Sequence, residues 1–291
     1  MFTGILIGAL SAAALIQQTD TLVQADGANR IHMQVLRGEV VVRTWDQDAV
    51  HVKADHAPDR EVQIRRSGRT LVIGLDDRRG TGPEGRVDFE LVVPRGFDLD
   101  LEGMNLRVDI QDTDGNIEVT TVQGPIQVQG GRGSIALESM SGRITVEGAR
   151  GHIRANAVAG AITVSGSSGD ISVEAVSGSI TLSDIVSRQV EARTVSGSLR
   201  YEGSIEDGGR YTFGTHAGNV RLHLPEDMNA RVSAVTLTGN IQVDFPGAPD
   251  TTTPGRALPG LPEKRLTFET GDASARVSVE TFAGNLYILR R

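Results

Sequence analysis

One short segment carries acidic residues in the spacing of a calcium loop. Asp112 and Asp114 in DTDGNIE (112–118) are placed as in part of an EF-hand loop. Ile110 and Thr121, however, stand where that loop needs an Asp and a bidentate Glu. We therefore interpret the segment as a turn that leads into the first regular part of the chain.

Two glycine-rich segments resemble binding motifs and fail in their details. GGRGSIALE (130–138) has the outline of a calcium-binding nonapeptide, but Ile135 takes the place of the aspartate. GTGPEG (80–85) fits the glycine spacing of a dinucleotide fingerprint, but it contains proline and leads into a strand pattern instead of a helix. Neither segment predicts a cofactor.

Histidines and carboxylates show no compact catalytic or metal-binding pattern. No HExxH or similar set joins the histidines, and alternation along strands predicts solvated positions for them. No GxSxG elbow is present, and no pair of carboxylates is evident. A solenoid can still bring carboxylates together from different coils. The residues considered are His32, His51, His56, His152, His216, His223, Glu138, Glu147, Glu174 and Glu191.

Composition narrows the classes of function. The 291 residues carry a formal net charge of −8, which argues against nucleic acid as the main partner. The chain has no cysteine, so disulfides and thiolate chemistry are excluded. Glycine is abundant, at 35 residues, and aromatic residues make up only 4%. Small residues, Ile and Val must therefore form the core.

The chain begins with an apolar, uncharged stretch. Residues from Ile5 to Ile16 are too few for a comfortable membrane span but fit the apolar region of a secretory signal. No Lys or Arg precedes them, and a buried first strand is the alternative. We expect export, with cleavage between Ala14 and Thr21 and no stable membrane span in the mature form.

A repeat of nine residues dominates the middle of the chain. The unit is Gly-x-Ile-x-Val, and alternate units resemble each other more than neighbours do, so the full period is eighteen residues. Short strands separated by glycine turns at this period predict a β-solenoid with two strands per coil. The regular glycines are Gly115, Gly124, Gly133, Gly142, Gly151, Gly160, Gly169 and Gly178, with wider steps to Gly197, Gly218, Gly239 and Gly284.

The repeat also predicts which side chains are stacked. The Ile and Val of each unit are two residues apart and should point inward, forming ladders in a core without a cavity. A third ladder is expected at a corner, and a polar line is expected on the outside. The third ladder consists of Val122, Met140, Val158, Val176 and Val195; the polar line consists of Gln127, Thr145, Thr163, Thr181, Arg200, Arg221 and Gln242.

The flanking segments are less regular. Before residue 106 the strand patterns predict wider early coils or an antiparallel lead-in that caps the rod. A proline-rich segment interrupts the repeat before the last strands. The expected organisation is a signal (1–19), a β-rich cap with early coils (20–105), regular coils (106–245), a loop insertion (246–265), and a C-terminal coil and cap (266–291).

The Gly-x-Ile-x-Val coils, preceded by small-Val-Ser-Gly as in AVSGSI and TVSGSL, resemble bacterial DUF4097 proteins over about residues 35–290. The resemblance implies an exported, adhesin-like, all-β single-stranded β-solenoid without established catalytic residues. Its coils should hold about 18–21 residues.

The leading hypothesis is a non-enzymatic, extracytoplasmic interaction or structural module, with an unknown protein or glycan of the cell envelope as partner. The alternative is a polysaccharide lyase or hydrolase that uses carboxylates from several coils. We expect no cofactor, metal or nucleic acid, assign no binding residues, and leave open self-association through the end of the rod.

Overall fold

The computed structural model describes residues 17–57, 61–75, 85–246, 248, 253–254 and 263–291. Residues 1–16, most of GTGPEG and most of the proline-rich segment lie outside these ranges. Every regular element in the described part is a β-strand, and no helix there could span a membrane. Most strands pair in parallel with the strand of the next coil, as expected for the β-solenoid predicted from the repeat.

One side of the rod, wall 1, is a ladder of strands stacked along the rod axis. Two long strands, β2 and β7, contribute only their first halves to it. In spatial order wall 1 contains β4 (Val62–Ser67), β5 (Thr70–Leu75), β2 (Arg30–Trp45), β7 (Asp98–Gln111), β8 (Ile117–Gln123), β10 (Ile135–Ser141), β12 (Ile153–Ala157), β14 (Ile171–Ala175), β16 (Gln189–Ser196), β18 (Arg210–Ala217), β24 (Ala275–Ala283), β20 (Ala230–Thr238), β23 (Lys264–Thr270) and β22 (Thr253–Pro254).

The opposite side, wall 2, is built by the second strand of each coil. The second halves of β2 and β7 belong to it, because both strands continue through the corner between the walls. In spatial order wall 2 contains β1 (Gln17–Gln24), β3 (Ala49–His56), β6 (Val87–Pro94), β2, β7, β9 (Ile126–Gln129), β11 (Ile144–Glu147), β13 (Ile162–Ser165), β15 (Ile180–Ile185), β17 (Leu199–Gly203), β19 (Val220–Leu224), β25 (Leu286–Arg290) and β21 (Ile241–Val243).

The register places equivalent residues of successive coils directly above one another. Ile117, Ile135 and Ile153 are aligned on wall 1, eighteen residues apart. Ile144 and Ile162 are aligned in the same way on wall 2. All five side chains are buried, and they belong to one continuous hydrophobic core. The predicted inward Ile and Val ladders are therefore confirmed.

The glycine repeat is explained by a close contact between coils. A Cβ atom on Gly160 would lie 2.0 Å from the carbonyl oxygen of Gly142, and one on Gly178 would lie 2.0 Å from that of Gly160. Neither residue has a positive φ, so at these two positions the limiting factor is space and not a left-handed backbone. The second row of glycines shows the same contact, with Gly151 against Gly133 at 2.2 Å.

The last strands of the chain do not lie at the end of the rod. β24 pairs with β18 on one side and with β20 on the other. β25 lies in the same way between β19 and β21. Asparagine side chains mark this order, since Asn285 Oδ1 accepts a bond from Asn240 N and Asn219 Oδ1 accepts one from Asn285 N, each at 2.9 Å. The C-terminal coil is thus inserted between two earlier coils.

Antiparallel strands close three edges of the rod. β4 covers β5, β23 covers β20, and β3 with β1 covers β6. Both sequence-based alternatives for the early region are therefore present, because β2, β5, β6 and β7 are parallel rungs while β1, β3 and β4 form an antiparallel cap. His56 in this cap is buried and bonds Thr19 Oγ1 at 2.8 Å. Its predicted solvated position is wrong, because β1 covers the ring.

Candidate functional site

The most unusual surface of the rod is the corner between wall 1 and wall 2. The third ladder predicted at a corner exists in register, but its side chains are not buried: Met140, Val158, Val176 and Val195 are each 46–56% exposed. The chain turns just after these positions, so the side chains point to solvent. His216, Phe282 and Leu237 continue the row in the coils that follow. We call these seven residues the corner ridge.

The row also runs toward the start of the rod. Leu36, Met104 and Val122 occupy the same position in earlier coils and are exposed. Scattered apolar residues on a surface are ordinary, but a contiguous apolar strip is typical of an interaction site. The sequence contains one indication that this row is exposed. His216, a polar residue, occupies the position equivalent to Val195 in the next coil.

A groove of about 860 Å³ runs beside the corner ridge on the face of wall 1. Its floor is a row of small side chains whose positions alternate with the outward ones: Thr121, Ser139, Ala157, Ala175, Thr194, Thr215 and Thr281. These floor residues are at most 7% exposed. Because the floor is small and both neighbouring rows point outward, the surface is concave along these seven coils, and Val235 and Leu237 extend it to an eighth.

The threonine hydroxyls of the floor are used by the fold. Thr194, Thr215 and Thr281 donate hydrogen bonds to carbonyl oxygens of the corner glycines, at 3.1–3.3 Å. Ser139 Oγ is the one buried side-chain polar atom without a partner in the described part of the chain. The floor therefore gives the groove its concave shape but offers a ligand few hydrogen-bonding groups.

The second border of the groove is a polar row that we call the lip. It consists of Thr120, Glu138, Asn156, Glu174, Arg193, Gly214, Glu280 and Val235. Asn156 Nδ2 donates to Glu138 Oε1 at 3.5 Å, and Arg193 forms an ion pair with Glu191 of its own strand. Glu174 and Glu280 have no partner among the described residues. Glu263 also lines the groove but is paired with Arg265 at 2.9 Å. The border is acidic because of Glu138, Glu174 and Glu280.

The lip has a gap at Gly214. A Cβ atom there would meet only Arg193 Cγ, at 3.7 Å, so the position is open space bordered by Arg193 and Glu280 in the adjacent coils. Across the groove, the rings of His216 and Phe282 stack with centroids 4.7 Å apart and planes at 14°. The gap and the stacked rings form the most accessible part of the groove for a bulky side chain.

The carboxylates considered from sequence do not form a catalytic pair. Glu138 and Glu174 share the lip but are separated by the coil that carries Asn156, and Glu147 lies on wall 2. Glu191 lies in the row next to the lip and is paired with Arg193. No three His, Asp or Glu side chains of the described ranges cluster as a metal site.

The calcium-like segment is a turn in the structure. Thr113, between its two aspartates, is buried and donates to the carbonyl oxygen of Arg95 at 3.1 Å. Asp114 lies 3.5 Å from the guanidinium of Arg132 in the next coil. Asp112 has a positive φ of 54°, which Asp tolerates better than most residues. The segment therefore serves to start the regular coils.

The predicted outward polar line on wall 2 is confirmed in register. Thr145, Thr163 and Thr181 are paired in successive coils, and Arg200 and Arg221 follow. Because the C-terminal coil is inserted, Tyr287 lies between Arg221 and Gln242, with Arg221 Cζ 5.0 Å from the ring centroid.

The two C-terminal arginines bind carboxylates from four other coils. Arg290 lies 3.2 Å from Glu226 and 3.3 Å from Asp244, and Arg291 lies 3.0 Å from Asp184 and 3.6 Å from Glu202. The hydrogen bond and the charge of Asp244, with those of Glu226, raise the pKa of Arg290. These charges secure the inserted coil.

Comparison with solved structures gives distant matches. A "putative cell adhesion protein" from Clostridium sporogenes shares 9% identity, with 95% of this chain and 100% of that chain covered and a TM-score of 0.25. A "putative adhesin" from Parabacteroides merdae shares 12% identity, with 72% and 90% covered and a TM-score of 0.37. A search of curated proteins found no match.

The family comparison covers nearly the whole rod. The model of the family described as Toastrack DUF4097 matches residues 28–288, from the cap before β2 to the middle of β25. This span includes the inserted coil and every strand that borders the groove. The chain therefore belongs to the Toastrack DUF4097 family.

Proposed function

We propose that this protein is an exported, non-enzymatic binding module of the cell envelope, adhesin-like in its action, and that the groove beside the corner ridge is its binding surface. The observation that carries the proposal is the ridge itself: a continuous row of exposed Val, Met and Phe side chains along the rod. Exposing such a row to water is unfavourable, so a surface of this kind is typically retained for recognition.

The architecture supports binding over catalysis. The interior is filled by the Ile and Val ladders, so the coils enclose no substrate cavity. The carboxylates of the lip either bond a neighbour or stand alone, without a second carboxylate at the equivalent position of the adjacent coil. Glycoside hydrolysis generally needs two carboxyl groups that face one bond from both sides.

A combined binding and turnover assay tests the proposal. Purified full-length protein is incubated with a cell-envelope fraction and with a panel of envelope polysaccharides, and both retention and the release of reducing or unsaturated ends are measured. A Val158→Asp/Val176→Asp variant changes only exposed side chains of the ridge. A Thr145→Asp/Thr163→Asp variant on wall 2 is the matched control.

We expect retention without product, weakened by the ridge variant and unchanged by the wall 2 variant. Product formation that stays with the protein through repurification would show that the protein is an enzyme and would contradict the proposal. Retention that both variants weaken equally would show that the groove is not the binding surface.

A further inference from the structure

We infer that the groove binds an amphipathic helix whose apolar face lies on the corner ridge and whose lysine or arginine side chains face the lip. This inference rests on the proposed function and names the class of partner. It combines three features of the groove, namely its length, its lack of free backbone groups and its charge.

The backbone of the groove argues for a helix instead of an extended strand. Every strand of wall 1 along the groove is paired on both sides, from β8 to β24. The N–H and C=O groups beneath the groove are therefore already bonded, and an added strand would find no backbone partner there. A helix satisfies its own backbone groups internally and needs only a complementary surface.

The dimensions of the groove fit a helix. The ridge and the lip are two residues apart along each strand, or roughly 7 Å, which accommodates one side of a helix about 10 Å wide. Coils stack at about 4.8 Å, so the groove from Thr120 to Val235 extends for roughly 34 Å. A helix of about 22 residues has this length.

The charge of the lip selects a basic partner. Glu174 and Glu280 lack a partner among the described residues, and Glu138 accepts a bond from the neutral amide of Asn156. Arg193 is neutralised by Glu191, and Glu263 by Arg265. A second copy of this chain is disfavoured, because it would bring the same carboxylates and a net charge of −8 to the contact. An anionic membrane surface is disfavoured for the same reason.

The gap at Gly214 provides an anchor position. A large apolar side chain of the helix can enter between Arg193 and Glu280 and pack against the His216–Phe282 pair. Burial of one large anchor in a pocket, surrounded by weaker contacts, is the usual distribution of binding energy at an interface. This position also allows a substitution that fills the groove without disturbing the core.

The experiment uses a fluorescein-labelled peptide of about 22 residues, built from Leu, Lys and Ala with Leu at helical spacing and Lys along one flank. A second peptide replaces each Lys by Glu, and a third contains the same residues in scrambled order. Binding to full-length protein is measured by fluorescence anisotropy at low and physiological salt. Anionic and neutral lipid vesicles are tested in parallel by flotation.

Two pairs of variants localise the binding. Glu174→Lys/Glu280→Lys reverses the charge of the lip, and Glu118→Lys/Glu147→Lys makes the same change at exposed carboxylates outside the groove. Gly214→Trp fills the gap, and Thr212→Trp adds the same side chain to an outward position of the same strand. Circular dichroism and thermal unfolding show that each variant keeps the fold.

We expect the Lys peptide to bind more tightly than the Glu and scrambled peptides, with lower affinity at higher salt. Both groove variants should weaken binding of the Lys peptide by about tenfold or more, and both controls by less than about twofold.

Equal binding of the three peptides, equal effects of groove and control variants, or binding to anionic vesicles in place of peptide would overturn the inference. If the ridge variant still weakens retention of the envelope fraction while the Lys peptide fails to bind, only the partner class is wrong. If the ridge variant does not weaken retention, both proposals are wrong.

Discussion

At the scale of single residues, the stacked glycines limit what the rod can tolerate. Gly160→Ala would place a Cβ atom 2.0 Å from the carbonyl oxygen of Gly142, so the coils must separate or shift. We expect the free energy of unfolding to fall by about 1–3 kcal/mol, as for other overpacked sites. Gly214→Ala is the matched control, because its Cβ meets nothing closer than 3.7 Å. Urea unfolding with equal losses for both variants would contradict the stacking explanation.

Two buried tyrosines should make the protein sensitive to alkali. Tyr201 donates to the carbonyl oxygen of Ser204 at 2.7 Å, and Tyr211 accepts from the Glu206 N–H at 2.8 Å. Burial raises the pKa of both phenols, that of Tyr211 to about 12. A raised folded pKa means that this stability is complete below the ordinary value of about 10 and is lost as pH rises further.

We therefore expect the free energy of unfolding to decrease between about pH 10 and pH 12, and to decrease less in Tyr201→Phe. Urea titrations across this range measure the effect, and the absorbance of phenolate follows ionisation directly. All phenols ionising near pH 10 in protein that is still folded would show that burial does not hold the protons.

At the scale of the strands, the inserted C-terminal coil should behave as interior and not as a chain end. Terminal segments usually fray, but β24 and β25 have hydrogen-bonded strands on both sides. We expect their amide protons to exchange within about tenfold of those in β12 and β14, and more slowly than those in β21. Hydrogen exchange read by NMR or mass spectrometry decides this, and rapid exchange throughout 275–290 would contradict the insertion.

The strands also show which parts of the structure the sequence predicts. The period, the two walls and the inward Ile residues follow from local spacing, because every coil must bury the same cross-section. The order in which the coils stack does not follow from the sequence. Leu286 and Ile241 lie in equally suitable strand patterns for pairing with Val220, and the structure pairs Leu286 with it. The sequence does not show whether Val158 is buried, because an apolar repeat at a corner has the same pattern whether its side chains point into the core or into solvent. The groove depends on that orientation and was missed with it.

At the scale of the whole molecule, the rod combines capped strand edges with one exposed apolar strip. The antiparallel caps remove most of the strand edges through which solenoids aggregate, and the net charge of −8 keeps copies apart. The corner ridge is left as the main apolar surface along the described part of the chain. These properties suit the proposed binding module, because the groove is the long, shallow surface that a partner would cover.

The position of β1 also constrains how the chain is processed if it is exported. Asp20 lies 2.6 Å from His51, and β1 pairs with β3 from Gln17 onward. A cut at Thr21, within the range expected from sequence, would remove half of this strand and uncover His56. We therefore expect mature protein recovered outside the cytoplasm to begin at or before Gln17, as measured by intact mass.

Chains that begin at residue 17 and at residue 21 provide the comparison: the first should keep the melting temperature of the mature protein, and the second should unfold at a lower temperature. Equal melting temperatures, or a mature start at Thr21, would mean that β1 is dispensable.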